Sequence, residues 1–314
     1  MEKSIPRVHL MDFLSDDKQK QEAFIKKLGE AFETTGFVAV TGHGISDTEI
    51  DKLYEQVKTF FSLSTEEKRK IEIPGLAGQR GYTSFGKEHA KQSDAPDLKE
   101  FFQFGQTVSD NDPLSARYPK NVDVPTVEGF NQTLLDAYRA FELAGTALLQ
   151  AIALYLGLDR HYFDAKINKG NSILRAIHYP PITVEPKNAI RAEQHEDINL
   201  ITLLVGASAE GLELLNKQDK WVPIMAGPGE IVVNVGDMLQ RLTNNKLRST
   251  THRVVNPPKE KWHTPRYSIP FFLHPKSEMD LSCLKSCVKD KLHFEPITAG
   301  EYLDERLREI GLKK

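Results

Sequence analysis

The stretch Gln194-His195-Glu196-Asp197 places an imidazole and a carboxylate two positions apart. In an extended backbone, residues i and i+2 point to the same face, so His195 and Asp197 can converge on one point. A second histidine, His252, follows 57 positions after His195. Two histidines and one carboxylate can hold a metal ion on one face and leave its other coordination positions open. These three residues are therefore candidate metal ligands.

The sequence on both sides of these candidates alternates with a period of two, which is typical of β-strands. Predicted strands cover 172–179, 198–205, 230–237, 253–255 and 267–273, and a predicted hairpin joins 211–215 to 221–224. Turn residues separate these strands, with no helical pattern between them. Such a succession predicts an antiparallel barrel or a double-sheet jelly roll. Neighbouring strands of this core can deliver ligands to a single ion.

The upstream half has apolar residues at helical spacing. Helices are predicted over 18–34 and over the long stretch 127–156, which we expect to act as a spine for the sheet. A charged amphipathic helix is predicted from Thr298 to Ile310. We expect one structural unit of mixed α+β class. Its parts are an α-rich N-terminal region (1–110), the spine helix (111–165), a jelly-roll core (166–280) and a C-terminal helical extension (281–314).

Composition excludes several partners. The formal net charge is −3, with 41 Lys+Arg against 44 Asp+Glu, so no global basic field would hold nucleic acid or an anionic membrane. No apolar run approaches a membrane span, and the first residues lack an apolar signal core. Cys283 and Cys287 are too few for a disulfide framework, which favours a cytoplasmic location. A small-molecule partner is expected, and the oligomeric state is unknown.

A second polar pair lies downstream of His252. By strand parity, Arg266, Ser268 and Phe272 share one face, which we expect to be the core interior. A buried arginine needs an anionic partner, and its planar donor fork suits a carboxylate. That partner is either a protein carboxylate or the far carboxylate of a small diacid bound to the metal.

The second half of the chain carries, in order, the motifs His195-x-Asp197, Gly211-Leu212-Glu213, Lys220-Trp221-Val222, Asn234-Val235-Gly236-Asp237, His252-Arg253-Val254 and Arg266-x-Ser268. This succession resembles that of the Fe(II)/2-oxoglutarate-dependent dioxygenases related to isopenicillin N synthase and to plant flavonoid and gibberellin oxidases. The N-terminal half adds Ile5-Pro6, Thr35-Gly36-Phe37 and Gly42-His43-Gly44. The resemblance therefore covers nearly the whole chain.

The resemblance implies a double-stranded β-helix, or jelly roll, with a long spine helix. It makes His195, Asp197 and His252 the ligands of Fe(II). It makes Arg266 and Ser268 the residues that hold the far carboxylate of 2-oxoglutarate, with Tyr179 also touching this co-substrate. The implied reaction couples O2 and the oxidative decarboxylation of 2-oxoglutarate to hydroxylation, desaturation or ring closure of a small organic substrate.

Three further residues are candidates for the substrate pocket. Phe272 occupies a position where some members of that family stack an aromatic substrate. Tyr82 lies in the glycine-rich loop 74–97, and Phe101 lies in the aromatic strand that follows it. Long loops inside compact domains often carry function, so this region is either part of a substrate wall or an ordinary packed loop.

Two features depart from the plant enzymes. The strand motif is Ile177-His178-Tyr179-Pro180 where plant members usually carry Asn-Tyr-Tyr-Pro, and additional residues separate His252 from Arg266. Three other interpretations stay open at this point. They are an isopenicillin-synthase-like or ethylene-forming oxidase without ordinary 2-oxoglutarate turnover, a zinc hydrolase or isomerase with the same ligands, and a metal-binding jelly-roll module without catalysis.

Overall fold

The computed structural model describes residues 5–76, 78–88, 97–186, 188–206, 210–309 and 312. Their strands are β1 (Arg7–His9), β2 (Phe37–Thr41), β3 (Gly81–Thr83), β4 (Glu100–Gly105), β5 (Ile173–Tyr179), β6 (Ala192–His195), β7 (Ile201–Val205), β8 (Leu212–Leu215), β9 (Trp221–Pro223), β10 (Ile231–Val235), β11 (His252–Val254) and β12 (Arg266–Leu273). Their α-helices are α1 (Leu10–Leu14), α2 (Lys18–Thr34), α3 (Asp47–Phe61), α4 (Thr65–Lys70), α5 (Phe130–Tyr155), α6 (Asp164–Ile167), α7 (Asp237–Leu242) and α8 (Ala299–Glu309).

The strands form a large and a small sheet. Within the described residues, the large sheet has the order β1-β2-β10-β7-β12-β5-β4-β3, and the small sheet has the order β6-β11-β8-β9. Every pairing except that of β1 with β2 is antiparallel. The mixed α+β class and the two-sheet antiparallel core are as predicted.

The spine helix α5 fixes the position of the strand that carries Arg266. It has 26 residues and lies inside the predicted stretch 127–156. Phe141 of α5 stacks on Phe271 of β12 with ring centroids 5.7 Å apart. Gly145 makes this approach close, because a Cβ there would lie 2.4 Å from Leu273 Cδ1. The helix therefore packs its backbone directly against β12.

Three elements differ from the prediction. The N-terminal region is not only helical, because β1 to β4 complete both ends of the large sheet. The strand after the first histidine begins at Ile201, while a separate strand, β6, ends at His195. The predicted strand 230–237 gives way at Asp237 to the short helix α7, whose acidic first residue suits a helix start. The predicted helix end at Ile310 and residues 77 and 89–96 of the loop 74–97 lie outside the described residues.

The junction between α2 and β2 is joined to the segment before His252. Gly36 has φ +71°, and a Cβ there would lie 2.4 Å from the Arg248 carbonyl oxygen, so only glycine fits without strain. Thr250 Oγ1 donates a hydrogen bond to the Thr35 carbonyl at 2.9 Å. Among the described residues, no helix combines the length and the apolar character needed to cross a bilayer.

Candidate metal and co-substrate site

The two candidate histidines are direct neighbours on the small sheet. His195 ends β6, His252 begins β11, and the two are paired across these strands with ring centroids 4.4 Å apart. Asp197 lies in the loop after β6. Its Oδ1 is 4.0 Å from His195 Nε2 and 3.8 Å from His252 Nε2. Within the described ranges, these three residues are the group whose ligand atoms are close enough to share one ion.

Backbone carbonyls set the tautomers of both histidines. His195 Nδ1 lies 2.6 Å from the Glu193 carbonyl, and His252 Nδ1 lies 3.0 Å from the Thr250 carbonyl. A carbonyl only accepts, so each Nδ1 carries the proton and each Nε2 keeps its lone pair for a metal. Burial and the neighbouring His252 lower the pKa of His195 to about 4. The imidazole of His195 is therefore neutral at pH 7, which is the metal-binding form.

Two side chains orient the carboxylate of Asp197. Its Oδ2 accepts hydrogen bonds from Thr202 Oγ1 at 2.6 Å and from Asn234 Nδ2 at 2.8 Å. Its Oδ1 faces the two histidines. Burial raises the pKa of Asp197, but the two histidines and these hydrogen bonds outweigh burial and hold it below its usual range. Two neutral imidazole nitrogens and one carboxylate oxygen fit a divalent ion bound on one face.

The triad opens into a cavity of about 600 Å³. Arg266, Ser268 and Phe272 line it from alternate positions of β12, so their predicted common face is the cavity face. Tyr179 lines the cavity from β5 and pairs with Arg266 across the strands. The Arg266 guanidinium carbon lies 5.0 Å from the centre of the Tyr179 ring. The structure thus brings the predicted ligands and co-substrate residues to one cavity.

Sequence reasoning missed a second buried cation beside Arg266. Arg191 is 2% exposed, and its Nη2 donates to the Thr264 carbonyl at 2.9 Å. Its buried Nε has no hydrogen-bond partner among the described residues. Burial and the nearby Arg266 lower the pKa of Arg191 to about 10. Arg191 is not among the residues that line the cavity, but its charge adds to that of Arg266, and a bound anion would offset the cost of burying both.

The three pocket candidates have different surroundings. Phe272 lines the cavity. Phe101 is not itself among the lining residues, and it packs with Ile177 and Tyr179, which are. Tyr82 does not face the cavity, which corrects the expectation for this residue. It pairs with Phe102 on the core side of the large sheet, and its hydroxyl binds Glu100.

A buried cluster of four charged side chains also lines the cavity, and no sequence pattern indicated it. Lys99 Nζ donates to Glu88 Oε1 at 2.7 Å and to Asp97 Oδ2 at 2.8 Å. Arg175 Nη1 donates to both oxygens of Glu88 at 3.2 Å. Burial raises the pKa of Glu88, but Arg175 and Lys99 outweigh it and bring the pKa to about 2. Glu88 therefore stays ionised, and the formal charges of the four side chains sum to zero.

The C-terminal helix α8 reaches the cavity and is fixed beside the triad. Leu303 and Leu307 line the cavity, and Tyr302 Oη donates to Asp237 Oδ2 at 3.0 Å. The Asp237 backbone N–H donates to the Asp197 carbonyl at 2.7 Å. Burial and the nearby Glu196 carboxylate raise the pKa of Asp237 to about 7. Asp237 therefore joins α8 to the loop that carries Asp197. Its carboxyl group resists ionisation.

Replacing Asp237 with Asn should flatten the pH dependence of stability. The folded pKa of about 7 exceeds the ordinary value of 3.8, so the unfolded chain loses this proton first as pH rises. The folded state is therefore destabilised progressively from about pH 4 to pH 7, and the cost is constant above that. Asn at this position removes the cost and can still accept the Tyr302 hydrogen bond.

Urea unfolding of metal-free protein at pH 5 and pH 8 would measure this effect. Relative to wild type, the advantage of Asp237→Asn should grow by about 3 kcal/mol between the two pH values. The exposed Asp51→Asn serves as a charge-matched control that should show no such growth. An unchanged pH dependence in Asp237→Asn would contradict this assignment.

The fold and the site together define a class, the jelly-roll enzymes that hold a single metal ion by two histidines and a carboxylate. Two family models match the chain. One describes the N-terminal part of a non-haem dioxygenase in morphine synthesis and matches residues 5–125. The other describes the 2OG-Fe(II) oxygenase superfamily and matches residues 170–275.

Individual relatives agree with these models. A proline hydroxylase from Petromyces alliaceus is 33% identical over 96% of this chain and 98% of its own length. A 2OG-Fe(II) oxygenase family protein from Caulobacter crescentus is 41% identical, with a TM-score of 0.87 over 98% of this chain and all of its own. A Neurospora crassa protein solved with alpha-KG and thymine is 29% identical, with a TM-score of 0.85 over 98% of both chains.

The chain belongs to the 2OG-Fe(II) oxygenase superfamily and is an Fe(II)- and 2-oxoglutarate-dependent dioxygenase. This membership decides against a zinc hydrolase and against a jelly-roll module without catalysis. The co-substrate of this superfamily, 2-oxoglutarate, is a diacid, which is the chemistry that suits the buried Arg266 in the cavity lining.

Proposed function

We propose that this dioxygenase hydroxylates a C–H bond of a small polar molecule at an Fe(II) ion held by His195, Asp197 and His252. The observation that carries the proposal is the shared cavity. The three ligand atoms and the buried pair Arg266 and Ser268 line the same space. An ion and a diacid bound in this cavity would be next to each other. The rest of the cavity volume would then be left for a substrate.

Each of these residues has a distinct task in the proposal. His195 and His252 bind the metal through Nε2, and Asp197 binds it through Oδ1. Arg266 and Ser268 receive the far carboxylate of 2-oxoglutarate, and Tyr179 packs beside it. When bound, Fe(II) and 2-oxoglutarate supply the activation of dioxygen, with succinate and carbon dioxide as by-products. The balance is substrate, 2-oxoglutarate and O2 in, and hydroxylated substrate, succinate and CO2 out.

The protein contributes fixed geometry and the exclusion of water. Thr202 and Asn234 hold the Asp197 carboxylate in one orientation, and two backbone carbonyls hold the imidazoles. Partners of this kind typically change metal affinity or activity by 10–100-fold when they are removed. Arg266, Tyr179 and His252 are each less than a tenth exposed, whereas the His195 side chain is 38% exposed, so water is excluded best at the co-substrate end of the cavity.

A small substrate is supported by the cavity and by two relatives. The volume of about 600 Å³ has to hold both the co-substrate and the substrate. One relative is named a proline hydroxylase, and another was solved with thymine. The free thiols Cys283 and Cys287 support the proposal of a cytoplasmic location, where thiols stay reduced.

Oxygen consumption with isotope labelling tests this proposal. Fe(II)-loaded protein is supplied with 2-oxoglutarate, 18O2 and either thymine or L-proline as the first probe substrates. We expect succinate and oxidised substrate in equal amounts, with one 18O atom in the new hydroxyl group. Absence of any succinate release that depends on Fe(II) and 2-oxoglutarate would contradict the reaction class. A desaturated product without 18O would contradict hydroxylation.

A further inference from the structure

The guanidinium of Arg175 is held between two aromatic rings at the wall of the cavity. Its central carbon lies 4.2 Å from the centre of the Phe101 ring and 5.3 Å from that of the Phe272 ring. The side chain is 13% exposed, and Arg175 and Phe272 both line the cavity. Stacking on aromatic faces stabilises a guanidinium and fixes its plane. Arg175 is thus a rigid feature of the wall.

Among the described residues, two of the three nitrogens of this guanidinium have acceptors. Nε donates to Gln103 Oε1 at 3.0 Å, and Nη1 donates to both Glu88 oxygens. Nη2 has no acceptor among the residues that the structure describes. Each bidentate edge of a guanidinium combines Nη2 with Nε or with Nη1, and both of those nitrogens are already engaged. The remaining donor suits a single oxygen atom better than a carboxylate fork.

The charge around Arg175 is already balanced. Glu88 and Asp97 neutralise Arg175 and Lys99 through contacts of 2.7 to 3.2 Å. A substrate anion would add an uncompensated charge beside two buried carboxylates, which is costly in a site of low dielectric. This part of the wall therefore favours an uncharged acceptor group.

The position of Arg175 is that of a substrate contact and not of a co-substrate contact. On β5 it lies four residues from Tyr179, which is about 13 Å along a strand. Arg266 pairs with Tyr179, so the co-substrate end of the cavity is the far end of this strand. Glu88, which binds Arg175, lines the same cavity as His195. The part of the cavity next to Arg175 therefore lies on the side opposite to Arg266.

We propose that Arg175 is a specificity-determining residue that binds a neutral carbonyl oxygen of the substrate through Nη2, while Phe272 packs against the adjoining part of the molecule. This inference rests on the proposed function and deepens it. The substrate class is a small uncharged amide, lactam or ring carbonyl compound. Anionic substrates of the same size are disfavoured.

Anaerobic calorimetry on protein loaded with Fe(II) and 2-oxoglutarate tests the subsite without turnover. The neutral probes are thymine and 2-piperidone, and the anionic probe is orotate. At least one neutral probe should bind more tightly than orotate. In Arg175→Gln its affinity should fall by about tenfold or more, as expected for loss of a charge-assisted hydrogen bond. Arg175→Lys keeps a cationic donor and should bind with intermediate affinity.

Arg160→Gln is the matched control, because Arg160 also lies over a phenylalanine ring and donates to a glutamine, and it is not among the residues that line the cavity. Its guanidinium carbon is 4.7 Å from the Phe13 ring centre, and its Nε donates to Gln150 Oε1 at 3.2 Å. Affinity for 2-oxoglutarate should stay unchanged in every variant. Unchanged probe affinity in Arg175→Gln, tighter binding of orotate, or no binding of either neutral probe would overturn the inference. Failure of wild type to bind 2-oxoglutarate would instead overturn the proposed function.

Discussion

Replacing His252 with Ala is expected to abolish Fe(II) binding and to lower oxygenase activity by more than about a hundredfold. Removing a residue that only hydrogen-bonds to a metal ligand already lowers metal affinity or activity by about 10–100-fold. His252 is 7% exposed and supplies one of three ligand atoms. Its loss leaves one imidazole and one carboxylate, which cannot hold an ion on three sides. Iron content after desalting and 2-oxoglutarate-dependent succinate release measure the two effects.

Two variants make this result specific. Thr202→Val removes a hydrogen bond to Asp197 and keeps all three ligands, so iron affinity should fall to a value between those of wild type and His252→Ala. His161→Ala removes an exposed histidine that binds Asp164, and it should leave iron content unchanged. Full iron occupancy in His252→Ala, with melting unchanged, would show that the metal lies elsewhere.

Replacing Arg266 with Met should raise the apparent Kd for 2-oxoglutarate by about 30-fold or more, because removing one member of a buried charge pair costs about 2–5 kcal/mol. Arg266 is 1% exposed and pairs across the strands with Tyr179. Met retains much of the side-chain volume, so the fold and the metal ligands should persist. Equilibrium binding of 2-oxoglutarate to the anaerobic Fe(II) protein measures the change.

A conservative variant separates charge from geometry at this position. Arg266→Lys keeps the positive charge but loses the planar fork, so its affinity should lie between those of wild type and Arg266→Met. Iron content should be equal in all three proteins. If 2-oxoglutarate bound Arg266→Met as tightly as wild type, the anchoring role of Arg266 would be wrong, and Arg191 would be the next residue to test.

Short-range pattern predicted most of the core. Period-two alternation located β5, β10 and β12, and apolar spacing located α2 and α5. Strand parity placed Arg266, Ser268 and Phe272 on one face because successive side chains of a strand point to opposite faces of the sheet. The His-x-Asp spacing predicted convergence, although Asp197 follows the end of β6 and is held by Thr202 and Asn234.

Contacts between residues distant in sequence were not predictable in the same way. Arg191 reaches Arg266, and Glu88 reaches Arg175, only after the sheets have formed. Tyr82 was misplaced because its side depends on the pairing register of β3 with β4, which a short aromatic loop sequence does not specify. The helix α7 was not predicted, because an apolar run precedes it and hydrophobic periodicity does not show where a buried strand ends.

Anaerobic titration of the Fe(II)-loaded protein with 2-oxoglutarate, followed by visible absorption, tests the central claim most directly. The account predicts a weak metal-to-ligand charge-transfer band in wild type. The band should be absent in His195→Ala and should require far more 2-oxoglutarate in Arg266→Met. Iron-loaded wild type without a band at any 2-oxoglutarate concentration, or a band that persists in His195→Ala, would contradict the assignment of this cavity to Fe(II) and 2-oxoglutarate.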